Sequence, residues 1–562
     1  MQVKKFWAGL LSVMLIVSCL AGCSGNGGNS SKSDSSKSDS SKSDSSKSDS
    51  SKATSQQETS KQEDKQDDDP YAAADFTYPM DGTVTLSINM NKTEEKDLPS
   101  WVKGHYFWDV IEEKTGVKLE YVGSPSSVQE TSEAFSLLLT SGIYPDIMQA
   151  NWITFKGGPS AAINDGYIIA LNDYKQYFPA LAGWLESDET ANKTVSMDDG
   201  TWFCFPHYGN DKECTGTGLV VRQDFLDQIN AQAPETVEEW YNVLTSFKND
   251  LNVAAPLTFE SRWLFLEYAA AGLSSPWGVC YPFFMDGDTV KFGPTEAGYK
   301  EFVTEMAKWY AEGLIDTDLA SVDKKTVQSK FANGQAGIAL QQIRNIQNCI
   351  KANAEDSTYK VTGLHSMVMN KGDEPQMGHY DNPFNGGCST SISTQCKNIG
   401  AAARFLDYAY TEEGSLFFSY GEEGFAWDYV DGKPTFKDII TDNPETPDAQ
   451  AARYQVAQFR NFSLHVLDSR SHMGAEVLSI QTSFESNMAK YAYPTVTYTE
   501  DEVKIASKWN DIDTACREKI LGFILGTEDL ADWDSFIDEI NNMGLQDVLK
   551  VRQDAYDRYK AR

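Results

Sequence analysis

The sequence predicts an α/β protein with two lobes. Strand patterns alternate with helix patterns along the chain, which favours a largely parallel sheet. The alternation occurs early in the chain and again from residue 219 onward. About 490 residues follow a polar N-terminal region, which is ample for two hydrophobic cores. We therefore expect the chain to cross between two lobes more than once.

Hydrophobic periodicity predicts the elements of the first lobe in order. They are a strand at 83–89, a helix at 108–115, a strand at 117–122, a helix at 130–141 and a short strand at 145–148. Gly116 directly follows the first helix pattern and is a typical helix stop. The order strand, helix, strand, helix, strand is that of an α/β unit.

The same pattern returns later in the chain. It predicts a strand at 219–222, a helix from 236, a buried strand at 337–341, an Ala-rich helix at 398–410 and a mostly helical tail at 521–558. Thr236 can cap its helix, and Glu239 lies three positions on, as in a capping box. These elements supply the second lobe and the return of the chain to the first.

The N-terminus reads as a bacterial export signal. Lys4 and Lys5 precede a short apolar run that ends in Leu-Ala-Gly-Cys at residues 20–23. The run is too short for a comfortable membrane span and ends in small residues. Its ending resembles a lipobox, which implies acylation of Cys23 and anchoring to a membrane. An ordinary signal with a chance cysteine is the alternative.

Residues 24–70 predict a disordered tether. The unit Ser-Ser-Lys-Ser-Asp repeats from residue 30 onward, and the region offers almost nothing apolar to bury. Such a composition cannot offset its ordering entropy. A flexible chain of roughly 45 residues has a mean reach of about 35–40 Å. No ligand is assigned to this region.

The charge of the chain excludes some partners. The formal net charge is −34 and the pI is about 4.5. Nucleic acids and anionic lipid surfaces attract Lys- and Arg-rich proteins, so we expect neither as a partner. An anionic cargo is also less natural, although a local arginine can override the global charge.

The cysteines leave their pairing open. Besides the residues of the export signal and Cys23, the chain has Cys204, Cys214, Cys280, Cys349, Cys388, Cys396 and Cys516. This odd number leaves at least one thiol unpaired, and no Cys-x-x-Cys spacing suggests zinc. Two candidate disulfides are Cys204–Cys214 and Cys388–Cys396, and free thiols are the alternative.

Several segments along the body are similar to those of a known family. Two early segments are FWDVIEEKTGVKLE at 107–120 and FSLLLTSGIYPDI at 135–147. Later segments are 165–171, 199–206, 221–243, 401–413, 420–433 and 526–559. In order and spacing, over nearly all of the body, they resemble the extracellular solute-binding proteins of family 1, the carbohydrate-uptake branch with long lipoprotein members.

The resemblance implies a two-lobed clamshell of the periplasmic-binding-protein type II, with discontinuous lobes and a hinge. The lobes are expected at 79–210 with 380–470, and at 211–379 with 471–562. The expected role is capture of a sugar or oligosaccharide for the permease subunits of an ABC importer. The protein would be a monomer without cofactor or catalysis, lipid-anchored outside the cell membrane, on a Gram-positive-type surface rather than in a periplasm.

Some family members carry a calcium loop, but this sequence departs from it. Residues 248–256 read KNDLNVAAP, which lacks regularly spaced oxygen ligands and a turn glycine. We therefore expect no metal site.

Sugar recognition predicts the type of residue in the cleft. Sugar rings have apolar faces and polar rims, so a site combines aromatic rings with Asp, Glu, Asn or Arg. Loops at strand ends and near the crossings carry such residues. The candidates are Asp146, Asn151, Trp152, Trp202, Glu260, Trp263, Trp277, Arg344, Asn345, Asn382 and Trp427. Each of these has a packing, capping or strand-end role as its alternative.

Three other functions compete with sugar import. A binder of peptides or other small solutes shares the same architecture. A secreted carbohydrate-active enzyme needs only two suitably placed carboxylates, but the sequence lacks the common nucleophile, metal and nucleotide motifs. An adhesin more often has internal repeats, and the body shows none.

Overall fold

The computed structural model describes residues 69–123, 128–209, 216–384, 386, 389–457, 462–467 and 474–562. All of them belong to one compact unit, Lys65–Arg562. The predicted export signal, Cys23 and nearly all of the predicted tether lie outside the described residues. Among the described residues, no helix is both long and apolar enough to cross a membrane.

Within the described residues, the strands form two four-stranded sheets and three two-stranded ones. In chain order they are β1 Val84–Ile88, β2 Val117–Tyr121, β3 Ile147–Ala150, β4 His207–Tyr208, β5 Thr217–Arg222, β6 Ala255–Thr258, β7 Phe283–Asp286, β8 Thr289–Phe292, β9 Ala336–Gln342, β10 Val361–Leu364, β11 Ser389–Ile392, β12 Trp427–Val430, β13 Lys433–Phe436 and β14 Ser463–Leu464.

The α-helices surround these sheets. They are α1 Phe107–Thr115, α2 Val128–Ser141, α3 Gly158–Asn164, α4 Pro179–Ser187, α5 Glu189–Val195, α6 Gln223–Gln228, α7 Val237–Asn249, α8 Ala271–Ser274, α9 Ala297–Ala311, α10 Lys324–Ala332, α11 Ile343–Ala352, α12 Ile399–Asp407, α13 Glu412–Tyr420, α14 Asp438–Thr441, α15 Ala449–Val456, α16 Ala475–Thr482, α17 Glu500–Ala506, α18 Trp509–Leu525, α19 Trp533–Asn542 and α20 Leu545–Ala561.

Local sequence signals explain several of these boundaries. Gly116 ends α1 with φ +71°, a backbone conformation that glycine adopts without strain. At the start of α7, the hydroxyl of Thr236 accepts from the backbone N–H of Glu239, and the Glu239 carboxylate accepts from that of Thr236. Asn398 caps α12 through the backbone N–H of Ala401. The predicted helix stop and capping box are therefore confirmed.

The first large sheet has the order β11-β3-β1-β2, and the second has the order β10-β5-β9-β6. In the first, β1 runs parallel to both β2 and β3, while β11 is antiparallel to β3. In the second, only β6 and β9 are parallel, because β5 is antiparallel to both β9 and β10. The prediction of a largely parallel sheet is correct for the first sheet and wrong for the second. Antiparallel neighbours need no helical crossover between them, so strand–helix alternation does not reveal them.

Two lobes form around separate hydrophobic cores. The first lobe takes its core from two stretches of chain, 80–208 and 384–467. The second lobe takes its core from 219–377 and 480–555. The chain therefore passes between the two cores three times. Contacts join the segments next to these passes. The backbone N–H of Gly209, near the first pass, donates to the carbonyl of Pro383, near the second, at 2.7 Å. Strand β4, also near the first pass, pairs with β14, near the third.

Candidate functional site

The strands β6 and β9 run parallel in the second lobe, and residues that follow their carboxyl ends form the first part of the site. Glu260, which follows β6, accepts from Arg262 Nε at 2.7 Å and Nη2 at 3.2 Å. It also accepts from Trp263 Nε1 at 3.0 Å. This bidentate bond raises the pKa of the Arg262 guanidinium. Glu260 is thus a buried, fixed acceptor, while the Arg262 side chain is 54% exposed.

Two more cations lie where α10 and α11 begin. Lys324, the first residue of α10, donates from Nζ to Gln342 Oε1 at 3.1 Å. Arg344, the second residue of α11, donates from Nη1 to Gln450 Oε1 of the first lobe. Burial, and then the charge of Arg344, lowers the pKa of Lys324. The Arg344–Gln450 bond therefore joins the two lobes beside a second, half-buried cation.

Helix α15 faces Arg344 from the first lobe. Asp448 caps it, accepting from the backbone N–H groups of Gln450 at 2.9 Å and Ala451 at 3.2 Å. The amide nitrogen of Gln450 donates to the Tyr454 hydroxyl at 2.7 Å. Tyr454 is 43% exposed. The two lobes thus bring together an open aromatic ring, amide groups, carboxylates and cations.

Sequence reasoning missed Lys324, Asp448, Gln450 and Tyr454. Gln450 and Tyr454 are four positions apart and therefore adjacent on α15, but no helix is predicted there from the sequence. The helix that faces Arg344 is more than a hundred residues away in the sequence, so local patterns do not reveal the contact.

The carboxyl ends of β1 and β3 carry amide side chains in the first lobe. Asn89 Nδ2 donates to the Gln149 carbonyl at 3.0 Å, and Asn89 Oδ1 accepts from the Gln149 backbone N–H at 2.7 Å. Asn151 is half-buried and accepts from the backbone N–H of Thr154 at 3.2 Å. The predicted Asn151 therefore stands at a strand end, with a turn bond of its own.

Asp146 has a bridging role within the first sheet. It accepts from the backbone N–H of Ser87 at 2.8 Å and from the Ser87 hydroxyl at 2.6 Å. The backbone N–H of Asp146 donates to that hydroxyl at 2.9 Å. These bonds join β1 to the start of β3. The Asp146 carboxylate therefore has a structural role, as an acceptor for Ser87.

Two of the predicted tryptophans are packed in the first core. Trp152 has no exposed surface and lies edge-on to Phe135 with 5.6 Å between ring centroids. Trp202 is 3% exposed, donates from Nε1 to Asn192 Oδ1 at 2.9 Å and lies under Lys175 Nζ. Neither ring has an open face for a sugar.

The remaining tryptophans also pack within their lobes. Trp427 is buried and donates from Nε1 to the Gly421 carbonyl at 2.9 Å. Trp263 is 6% exposed and is held by Glu260. Trp277 is half-buried against Phe302, with ring centroids 5.7 Å apart.

The two other predicted asparagines have different surroundings. Asn345 is buried at the start of α11, next to Arg344. Asn382 is exposed near a crossing, donates to the Thr495 hydroxyl at 2.7 Å and accepts from the backbone N–H of Phe384. Among the predicted residues, the structure thus brings together Glu260, Trp263 and Arg344 with Asn345.

The described cysteines are buried thiols. Cys204, Cys280, Cys349, Cys396 and Cys516 are all free, and burial raises their pKa values. The suggested partners at 214 and 388 lie outside the described residues. No group of three or more metal-ligating side chains occurs in the described part of the chain.

Comparison with known proteins places the chain in a family. A profile described as bacterial extracellular solute-binding protein matches residues 109–419, more than half of the chain. The chain belongs to the bacterial extracellular solute-binding protein family. The predicted family resemblance is confirmed.

Solved structures agree with the predicted two-lobed α/β fold. The alginate-binding protein AlgQ2 without calcium ion has a TM-score of 0.68 at 22% identity, covering 86% of this chain and 99% of that one. An "HMO binding ABC-transporter associated solute binding protein" from Bifidobacterium longum infantis has a TM-score of 0.67 at 17% identity, covering 85% of this chain and 99% of that one. At these identities the likeness shows the fold alone, and it confirms the fold class.

Sequence relatives in the same family are distant. The polygalacturonan/rhamnogalacturonan-binding protein YtcQ of Bacillus subtilis is 23% identical over 338 residues, 56% of this chain and 62% of that protein. The fructooligosaccharide ABC transporter substrate-binding protein FusA of Streptococcus pneumoniae is 22% identical over 489 residues, 80% and 86% respectively. The chain spans 62% and 64% of the first two curated relatives it matches.

Proposed function

We propose that the protein captures a sugar or oligosaccharide between its two lobes and delivers it to the permease of an ABC importer. The observation that carries this proposal is the junction of Arg344 and Gln450 across the lobes, beside the exposed ring of Tyr454. An aromatic ring can stack on the apolar face of a sugar, while amides and charged groups bond its hydroxyls. YtcQ and FusA, by their names, bind or transport carbohydrates.

The contacts between the lobes support capture by closure. Besides Arg344 and Gln450, Arg558 of α20 pairs with Asp198 of the first lobe at 2.6 Å. A ligand that bonds to both lobes shifts the equilibrium towards the closed form, because only that form offers all of its contacts. The closed form is then the one that the permease distinguishes. The protein acts by binding, without catalysis.

We also propose how the chain divides into two lobes, a tether and a lipid-anchored N-terminus. Its lobes are 79–210 with 380–470, and 211–379 with 471–562, which the two separate cores support. Cys23 carries the lipid that anchors the protein outside the cell membrane, and residues 24–70 form the tether. Metabolic labelling with a radioactive fatty acid tests the anchor. Loss of label in Cys23→Ala is expected, and full labelling of that variant would refute it.

A thermal-shift screen of the full chain tests sugar capture. Mono- and oligosaccharides are compared with short peptides, and every hit is examined for breakdown products. A ligand at a hundredfold excess over its Kd adds about 2.7 kcal/mol to stability. We expect a saturable rise in Tm with one class of sugar and no product. A rise with peptides alone, or cleavage of the sugar, would favour the peptide binder or the enzyme instead.

A matched pair of variants locates the site. Removal of the stacking ring in Tyr454→Ala should weaken sugar binding about tenfold, since an aromatic contact contributes on the order of 1 kcal/mol beyond its buried area. Tyr310 is a partly buried tyrosine on α9 whose hydroxyl donates to the Thr317 carbonyl. Tyr310→Ala should lower Tm but keep the affinity. Equal affinities for the two variants would remove Tyr454 from the site.

A further inference from the structure

Two cations lie at the start of α11. Arg344 is the second residue of this helix, whose first turn has no acidic residue. Its N-cap residue, Gln342, makes no side-chain cap bond and instead accepts from Lys324 Nζ at 3.1 Å. Two cations therefore meet at the positive end of a helix dipole, where anions and not cations are stabilised.

The nearby carboxylates are already engaged. The Glu260 carboxylate accepts hydrogen bonds from Nε and Nη2 of Arg262 and from the indole N–H of Trp263. Asp448 accepts from two backbone N–H groups at the start of α15. In the part of the chain that the structure describes, neither Lys324 nor Arg344 has a carboxylate within salt-bridge distance. In a chain with 82 acidic and 48 basic residues, this is an unusual place for two unpaired cations.

Gln341, the neighbour of Gln342 in β9, is a buried amide. Gln341 ends the buried part of β9 and is 3% exposed, and its side-chain nitrogen and oxygen have no partner within the described residues. Alternate residues of a strand share a face, so Gln341 lies on the side of Ala339, which packs with residues of α10 and α11. A buried amide without a partner is costly unless a ligand or a water satisfies it.

We propose that this region is a carboxylate subsite, and that the cargo is an acidic oligosaccharide bearing uronic acid residues. The inference rests on the proposed function. Lys324 and Arg344 bind the sugar carboxylate, Tyr454 lies beside them for the ring, and the start of α11 adds its dipole. Binding of the carboxylate relieves the repulsion between the two cations, which is the physical reason for a preference over a neutral sugar.

Isothermal titration calorimetry of the full chain tests the subsite. The probes are trimers of galacturonic, glucuronic, guluronic and mannuronic acid, each beside its carboxyl-reduced, neutral counterpart and a sulfated neutral trimer. We expect one acidic trimer to bind at least about tenfold more tightly than its neutral counterpart, the range of a charge-assisted hydrogen bond. Preference for the sulfated trimer, or equal binding of the acidic and neutral trimers, would overturn the carboxylate subsite while leaving sugar capture intact. If no sugar of any class binds, the proposed function itself fails.

Variants separate charge recognition from closure of the lobes. Lys324→Gln should lower the affinity for the acidic trimer about tenfold and leave the affinity for the neutral one nearly unchanged. Arg344→Gln also loses the bond to Gln450, so it should weaken both trimers, the acidic one about tenfold more than the neutral one. Gln450→Ala removes the bond across the lobes without removing charge, so it should weaken both ligands equally. Lys308→Gln removes a cation from α9, where it pairs with Glu305 of the same helix at 2.9 Å, and should change neither.

A conservative variant checks that the subsite variants report on charge. Arg344→Lys keeps the cation and should retain most of the preference for the acidic trimer. Circular dichroism verifies that each variant is folded. Loss of binding to acidic and neutral trimers in the same proportion in Arg344→Gln would overturn the role assigned to its charge.

Discussion

Asp407 makes the stability of the first lobe depend on pH. It lies on α12, is 1% exposed, and accepts from the backbone N–H groups of Leu181 at 2.8 Å and Ala180 at 3.2 Å, where α4 begins. Burial raises the pKa of this carboxyl to about 7, although the two N–H bonds and the charge of Arg404 act in the opposite direction. Desolvation of the charged form therefore dominates.

The direction of the effect follows from proton linkage. Between the ordinary pKa of an unfolded aspartate, about 4, and the folded value of about 7, the folded protein holds a proton that the unfolded chain has lost. The contribution of Asp407 is fully present below pH 4 and is lost as the pH rises through 7. Its slope is about −1.4 kcal/mol per pH unit, so the loss between pH 5 and 8 is about 2.5 kcal/mol.

Denaturant unfolding of the wild type and Asp407→Asn at pH 5, 6, 7 and 8 measures this loss. The asparagine oxygen can still accept from Leu181, but it does not titrate. The free energy of unfolding of the wild type should therefore fall relative to the variant by about 2.5 kcal/mol across this range. Asp323→Asn is the control, since this exposed cap of α10 has a lowered pKa and titrates below the range. A wild type that keeps a constant difference from Asp407→Asn, or gains stability on it as the pH rises, would refute the reasoning.

Two further substitutions test the packing of the lobes by denaturant unfolding. Gly116→Ala should lower the free energy of unfolding by about 2 kcal/mol or more, because its Cβ would lie 2.2 Å from the Met80 carbonyl oxygen at φ +71°. Gly166→Ala, at φ +78° in open space, is the control and should lower it less. Equal losses for the two variants would contradict the predicted clash. Asp224→Ala should cost about 3–5 kcal/mol, because it leaves the buried Arg222 without its ion-pair partner at 2.7 Å. A loss below 1 kcal/mol would show that the pair contributes little.

Much of the fold could be predicted because its signals are local. The helix stop at Gly116 depends on one backbone angle, and the capping box of Thr236 and Glu239 depends on four successive residues. Whether two neighbouring strands run parallel or antiparallel is not a local property. The antiparallel arrangement of β5 and β9 joins strands more than a hundred residues apart, which the alternation of elements did not indicate.

The candidate site could be predicted only in part. Glu260 and Arg344 follow buried strands, and strand ends are where ligands bind in α/β sheets. The tryptophans were ambiguous, because an indole ring suits a sugar face and a hydrophobic core equally well. For Trp152 and Trp202, the neighbours that bury the rings decide between these roles.

The sequence by itself determined the family, the two-lobed α/β class and the local boundaries of many elements, since these depend on composition, periodicity and motifs along the chain. Only the tertiary structure decided that Arg344 meets Gln450, 106 positions away, beside Tyr454 and Lys324. The physical reason is that a cleft is built from surfaces of two lobes. Which side chains share it depends on how the packed cores orient those surfaces, and a local pattern carries no record of that orientation.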